Sequence, residues 1–313
     1  MWRMRVVTRE EHELALAELR RETVDPRAGI LGPRSTAWRI GGDLSVFVGG
    51  GRAALLQLAH PMVAYAIEQH SKTRDDVVGR FQRTFRHVFA MVFGELDEAL
   101  GAARRVHAIH TRITGTIPID LGAWRAGTPY HANDAAALRW VHATLIDSTL
   151  VVCDRLGKRL ARADRDAYVQ EMNRFAALFG IPRDLWPADH AAHARYMDRM
   201  LASDELAVAP CAKAMAGFLF GNRTTPLGRV TEALSAALLP PRFVDAFGLH
   251  ASPRLARVGL AALGGAVRIV PRAVVAIPAR SEAARRIAGR GPSAYAAWIE
   301  RRLFGLARAI SRD

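Results

Sequence analysis

Apolar side chains recur every three or four residues along most of this chain, and that period constrains the fold more than any other feature. A period near 3.6 lines one stripe of a helix, whereas a half-buried strand needs strict alternation. Residues 10–21 read as a charged amphipathic helix. Residues 52–59 and 61–70 read as two apolar helices that meet at His60-Pro61. The residue before a proline avoids helical geometry, while proline itself is accepted in a first turn. A helix over 75–93 follows, capped by Thr73 or Asp75. The next spans 95–114 and is stopped by Gly115 and Pro118. Residues 133–156 form a long helix, apolar on one face, with Asn133 or Asp134 as its cap. Residues 164–179 end at Gly180-Ile181-Pro182, and 188–203, 205–220 and 294–310 continue the pattern. Strand candidates are short, such as 45–48. The spacing predicts an all-α protein with a single large helical domain.

Composition narrows the class. Half of the 313 residues are hydrophobic, enough to bury a core and to exclude general disorder. Two cysteines, Cys153 and Cys211, are too few for a disulfide framework or a thiolate zinc site. The N-terminus has no secretory pattern. The best uncharged apolar run, 53–67, is too short to span a bilayer and contains His60. The expectation is a cytoplasmic protein. The net charge of +14 is uneven, because residues 251–313 hold 12 arginines and 3 acidic residues. That basic segment fits either a solvated extension packed on the core or a peripheral contact with an anionic inner-membrane surface. It lacks any nucleic-acid motif, so no nucleic-acid partner is expected. The expected division is an N-terminal helical extension over 1–41, a main domain over 42–250 and a basic helical tail over 251–313.

Seven of the eleven histidines fall between Gly49 and Leu145. Imidazole is the commonest metal ligand, and a histidine in an apolar helix needs a hydrogen-bond partner or a metal. His107 and His110 lie three apart on one predicted helix and share a face. They read either as a ligand and its support or as a core and a surface histidine. Arg80, Arg83 and Thr84 lie together on the preceding helix. Arginine suits bidentate carboxylate recognition, and a threonine hydroxyl can hydrogen-bond bound oxygen. An exposed charged face is the plainer reading. His60, at a helix junction, fits a bond to a free backbone group. His142 follows Trp140 in an apolar helix and reads as a core histidine or a supporting donor. His70, His87 and His131 read as surface residues, and so does the His190/His193 pair in its polar setting. There is no His-Glu-x-x-His helix, Glu-x-x-His pair, P-loop or Gly-x-Ser-x-Gly elbow. Gly49-Gly50-Gly51 lacks the strand–turn–helix setting of a dinucleotide site.

Four segments in order resemble the MpaB-type oxygenases, whose relatives include rubber oxygenase. They are Gly50-Gly51-Arg52-Ala53-Ala54-Leu55-Leu56-Gln57-Leu58-Ala59-His60-Pro61, Gly79-Arg80-x-x-Arg83-Thr84, Ile109-His110-x-x-x-x-Gly115 and Trp140-Val141-His142-Ala143-Thr144-Leu145. The similarity covers roughly residues 42–247. It implies a globin-like helical core around haem b, with His110 as the proximal iron ligand and Arg80 and Thr84 on the distal helix. His107, His142 and His60 belong to the implied haem neighbourhood. Rubber oxygenase places a lysine where this chain has Arg83, and a guanidinium stays protonated and cannot ligate iron. The implied activity is a haem-dependent oxidoreductase that uses O2 or peroxide on a hydrophobic substrate such as an isoprenoid or acyl chain. A non-catalytic haem sensor and a metal hydrolase built on His60, His107, His110 and His142 are the alternatives.

Overall fold

Each helix starts where a side chain can satisfy its free amides. A computed structural model describes residues 4–70, 87–220, 225–270, 276–291 and 293–294. Helix α1 (Arg9–Glu22) opens with a capping box. Glu11 N donates to Thr8 Oγ1 at 3.2 Å and Thr8 N donates to Glu11 Oε2 at 2.8 Å. Helices α2 (Thr36–Gly41), α3 (Gly50–Leu58), α4 (Pro61–His70) and α5 (Leu96–His110) follow. Helix α6 (Ala135–Arg155) is capped by Asp134, whose Oδ1 accepts from Ala136 and Ala137 amides at 3.1 and 2.9 Å. Then come α7 (Arg162–Ala177), α8 (His190–Ala202), α9 (Pro210–Leu219), α10 (Pro226–Leu238), α11 (Pro241–Phe247), α12 (Pro253–Ile269) and α13 (Pro278–Ile287). Among the described residues the protein is all-α apart from one small hairpin, β1 (Thr114–Thr116) paired antiparallel with β2 (Pro129–His131).

Three local expectations need correction. Residues 44–49 form a 3-10 helix, not a strand, because Asp43 caps its start by accepting from Ser45 N at 2.8 Å. Helix α5 stops at His110, four residues before the expected end, and the chain turns through Thr111 to Ile113 into β1. Helix α9 starts at Pro210 rather than at 205, since proline has no amide to give to a helix interior. Of the expected helix over 75–93, only 87–93 lies among the described residues, where it is helical. The expected helix over 294–310 lies outside them, apart from its first residue.

Helix α6 organises the interior. Its Trp140 and Ala143 belong to one hydrophobic cluster, with Leu55, Leu56, Met62, Tyr196 and Phe243. Its Ile146, Leu150 and Cys153 belong to a second, with Leu16, Leu100, Tyr168 and Phe175. The helix is long and apolar enough to cross a membrane by composition, but most of it is buried among its neighbours. The Gly49-Gly50-Gly51 run lets α3 approach two other helices. A Cβ on Gly51 would lie 2.1 Å from Ser235 Oγ of α10, and one on Gly49 would lie 3.0 Å from the Ser148 carbonyl of α6. Arg52 then locks the three helices together. It donates to the Leu238 carbonyl at 2.7 Å and Ser148 Oγ at 2.9 Å, and pairs with Asp147 at 2.6 Å.

Both expected domain boundaries are crossed by packing. Helix α1 packs on α5 and α7, and α12 packs along α10. Asp43 bridges to Ala276, and Ile277 N donates to the Gly42 carbonyl at 3.0 Å.

Candidate functional site

The last turn of α5 presents His107 and His110 in different settings. His107 is 8% exposed and faces inward. Its Nε2–H donates to the Val7 carbonyl at 3.1 Å, and its ring stacks on His12 with centroids 4.4 Å apart and planes 9° from parallel. The His12 Nε2–H donates in turn to the Leu178 carbonyl at 2.9 Å. These two rings tie the N-terminal segment to α5 and to the end of α7. His107 thus has its Nε2 committed to backbone.

His110 is held but not bonded in this way. It is half-buried, and its Nδ1 is buried with no hydrogen-bond partner. Burial holds its pKa down to about 4, helped by His107 and His131 and opposed by the neighbouring Asn133 side chain. The ring is therefore neutral near pH 7 and keeps a nitrogen lone pair. The Asn133 side chain lies beside the ring, but its Nδ2 does not serve that Nδ1. Its amide is spent on the His107 carbonyl at 3.2 Å and Thr111 Oγ1 at 3.3 Å, which fixes the helix end beside the imidazole. The hairpin is tied to the end of α4. Tyr130 OH donates to Gln69 Oε1 at 2.7 Å, Gln69 Nε2 donates to the Thr116 carbonyl at 3.1 Å, and His70 Nε2 donates to the Thr114 carbonyl at 2.8 Å.

The other predicted site residues sit apart. His142 is buried in α6, its Nε2–H donating to the Met172 carbonyl at 2.9 Å, its ring stacked near Phe175. His60 is fully buried between α3 and α4, its ring 5.2 Å from that of Trp124. Its backbone continues the chain turn, with N–H donating to the Gln57 carbonyl and C=O accepting from Ala64. Burial pushes both imidazoles down to about 4. Among the described residues, no three His, Cys, Asp or Glu side chains gather as a metal cluster. The four-histidine hydrolase site is therefore not assembled there. Arg80, Arg83 and Thr84 lie outside the described residues. Two surface clefts, of about 330 and 500 Å³, lie along α1 and the 22–35 loop and include none of these histidines.

One histidine lies deeper than its sequence setting predicts. His193, expected at a polar surface, is 2% exposed, with Nε2 lacking a partner and its pKa pushed by burial to about 4. The signal was present in the spacing. His193, Tyr196, Met197 and Met200 share the i, i+3, i+4, i+7 stripe that α8 buries. His12, the partner of His107, carried no local signal, because the stack joins residues from two distant segments.

Residues 38–269 match the family described as ER-bound oxygenase mpaB/B′/rubber oxygenase, catalytic domain. The chain belongs to this family. The match takes in His60, His107, His110, His142 and His193 but not His12, and it begins inside α2 and ends at the last residue of α12. The MpaB/rubber oxygenase assignment makes the matched region an oxygenase catalytic domain. No curated protein and no solved structure matches the chain.

Proposed function

We propose that this protein is a haem b-dependent oxygenase acting on a hydrophobic small molecule with O2 or peroxide, and that His110 would hold the haem iron. One observation carries the reading. Of the signature histidines on α5 and α6, His107 and His142 spend Nε2 on backbone carbonyls, while His110 keeps a buried nitrogen with no partner. A neutral imidazole fits an iron ligand. The family assignment supports oxygenase chemistry, and the rubber oxygenases named in it suggest an isoprenoid or similarly apolar chain as substrate.

When bound, haem supplies the oxygen activation that no side chain can perform. The chain's own residues hold and tune the site. Burial keeps the His110 ring unprotonated across the neutral range. The Asn133 bonds to α5 and the His107 bond to Val7 limit the freedom of the helix end that carries it. Such support of a ligand's position is what fixes ligand orientation in metal sites. Arg80 and Thr84 would supply a cation and a hydroxyl as hydrogen-bond donors toward the oxidant. Arg83 would stay a cation and so would not itself bind the iron.

The test is the visible spectrum and iron content of protein expressed with haem supplied. Wild type should show a Soret band with about one haem per chain, and His110→Ala should lose it. Absence of the band in wild type, or an undiminished band in the variant, would overturn the proposal.

A further inference from the structure

We propose that the outward face of α12 docks on an anionic lipid bilayer. The inference is independent of the haem reading. Helix α12 buries one side against α10 and the end of α6, where Leu260 and Leu263 pack on the cluster of Val152, Leu156 and Leu238. Two glycines set that contact. A Cβ on Gly264 would lie 3.2 Å from the Leu156 carbonyl, and one on Gly259 would lie 3.2 Å from Leu234. The helix is thus seated firmly, and its orientation fixes what it shows to solvent.

The outward side is apolar where a solvated helix would be polar. Val258 is 66% exposed and Ile269 83% exposed, and the exposed Ala262 lies between them on the same stripe. Positions 258, 262, 265 and 269 follow one helical row. Arg254 and Arg257 are exposed beside this row, and neither makes an ion pair among the described residues. No acidic residue occurs between Asp245 and Glu282, a span that holds five arginines. An apolar row flanked by unpaired cations suits the boundary between lipid headgroups and acyl chains.

The charge argues against the other occupants. A second copy meeting this face through its own α12 would bring like charges together. A nucleic-acid backbone would satisfy the arginines but leave Val258 and Ile269 without contact. An anionic membrane satisfies both groups at once, with about 1 kcal/mol per basic residue near the surface.

Vesicle co-sedimentation of the full chain tests this, comparing phosphatidylcholine with phosphatidylcholine mixed with phosphatidylglycerol. Wild type should bind only the anionic vesicles, and added salt should weaken binding. Arg254→Ala with Arg257→Ala should weaken it about thirtyfold. Val258→Asp with Ile269→Asp should abolish it, with the urea midpoint unchanged as a control on folding. Failure of wild type to bind, equal binding to neutral vesicles, or variants that bind like wild type would overturn the proposal. So would a duplex DNA complex, or a concentration-dependent dimer, that the same variants remove while vesicles remain unbound.

Discussion

Loss of the Arg52 side chain should weaken the fold at the junction of α3, α6 and α10. The side chain is 4% exposed and makes two hydrogen bonds and one ion pair into α6 and α10. Arg52→Ala removes the cation and leaves Asp147 at the helix interface. Breaking a buried pair by deleting one partner costs about 3–5 kcal/mol. Asp147 is 19% exposed, so water recovers part of that penalty and the pair loss falls at the lower end. The Leu238 carbonyl also loses its donor, which adds about 1–3 kcal/mol. The expected total is about 4 kcal/mol. Urea titration followed by far-ultraviolet circular dichroism reads it directly. With a slope near 3 kcal/mol per molar, the midpoint should drop by roughly 1 M or more. Arg52→Lys keeps the charge but loses the fork, and should fall between the two. A midpoint within about 0.3 M of wild type for Arg52→Ala would refute the clamp. The signature arginine would then owe its place to something other than holding three helices together.

Other outcomes follow from the same contacts. His60, His142 and His193 have folded pKa values depressed from 6.5 to about 4. Between those values the unfolded chain binds more protons, so stability is present above pH 6.5 and is lost as pH falls toward 4. By pH 5 each residue withdraws up to about 2 kcal/mol, and the urea midpoint should fall steeply between pH 6.5 and 5; a flat profile would contradict their burial as neutral rings. Trp140 is fully buried and its Nε1–H donates to the Leu56 carbonyl at 3.0 Å, so Trp140→Ala should lose about 3–5 kcal/mol in the same titration. His193→Ala should leave iron content and the visible spectrum unchanged. Loss of iron there would move the ligand from α5 to α8.

The parts of the fold with strong local chemistry were legible. Asp134 caps α6 at the place its residue type predicts, and Pro61 begins α4 after His60. Helix α7 ends just before Gly180, whose φ of +68° is open to glycine at little cost. The hairpin escaped notice because three-residue strands are too short to show alternation. Residues 45–48 are helical rather than extended because so short an apolar run has no decisive period, and the Asp43 cap settles it.

The site was legible only in part, for a similar reason. Spacing puts His107 and His110 on the same helix turn, but it says nothing of their partners. What separates them is the Val7 carbonyl, 100 positions away in sequence, and the His12 ring stacked behind it. Those contacts exist only after α1 has docked on α5. The same holds for His142, whose role is set by a carbonyl on α7.

The most direct test of the account is the haem content of three proteins prepared side by side: wild type, His110→Ala and His107→Ala. The account predicts a Soret band and about one iron per chain in wild type, loss of both in His110→Ala, and retention in whatever fraction of His107→Ala remains folded. Equal haem in wild type and His110→Ala, or loss confined to His107→Ala, would contradict the assignment of His110 as the iron ligand.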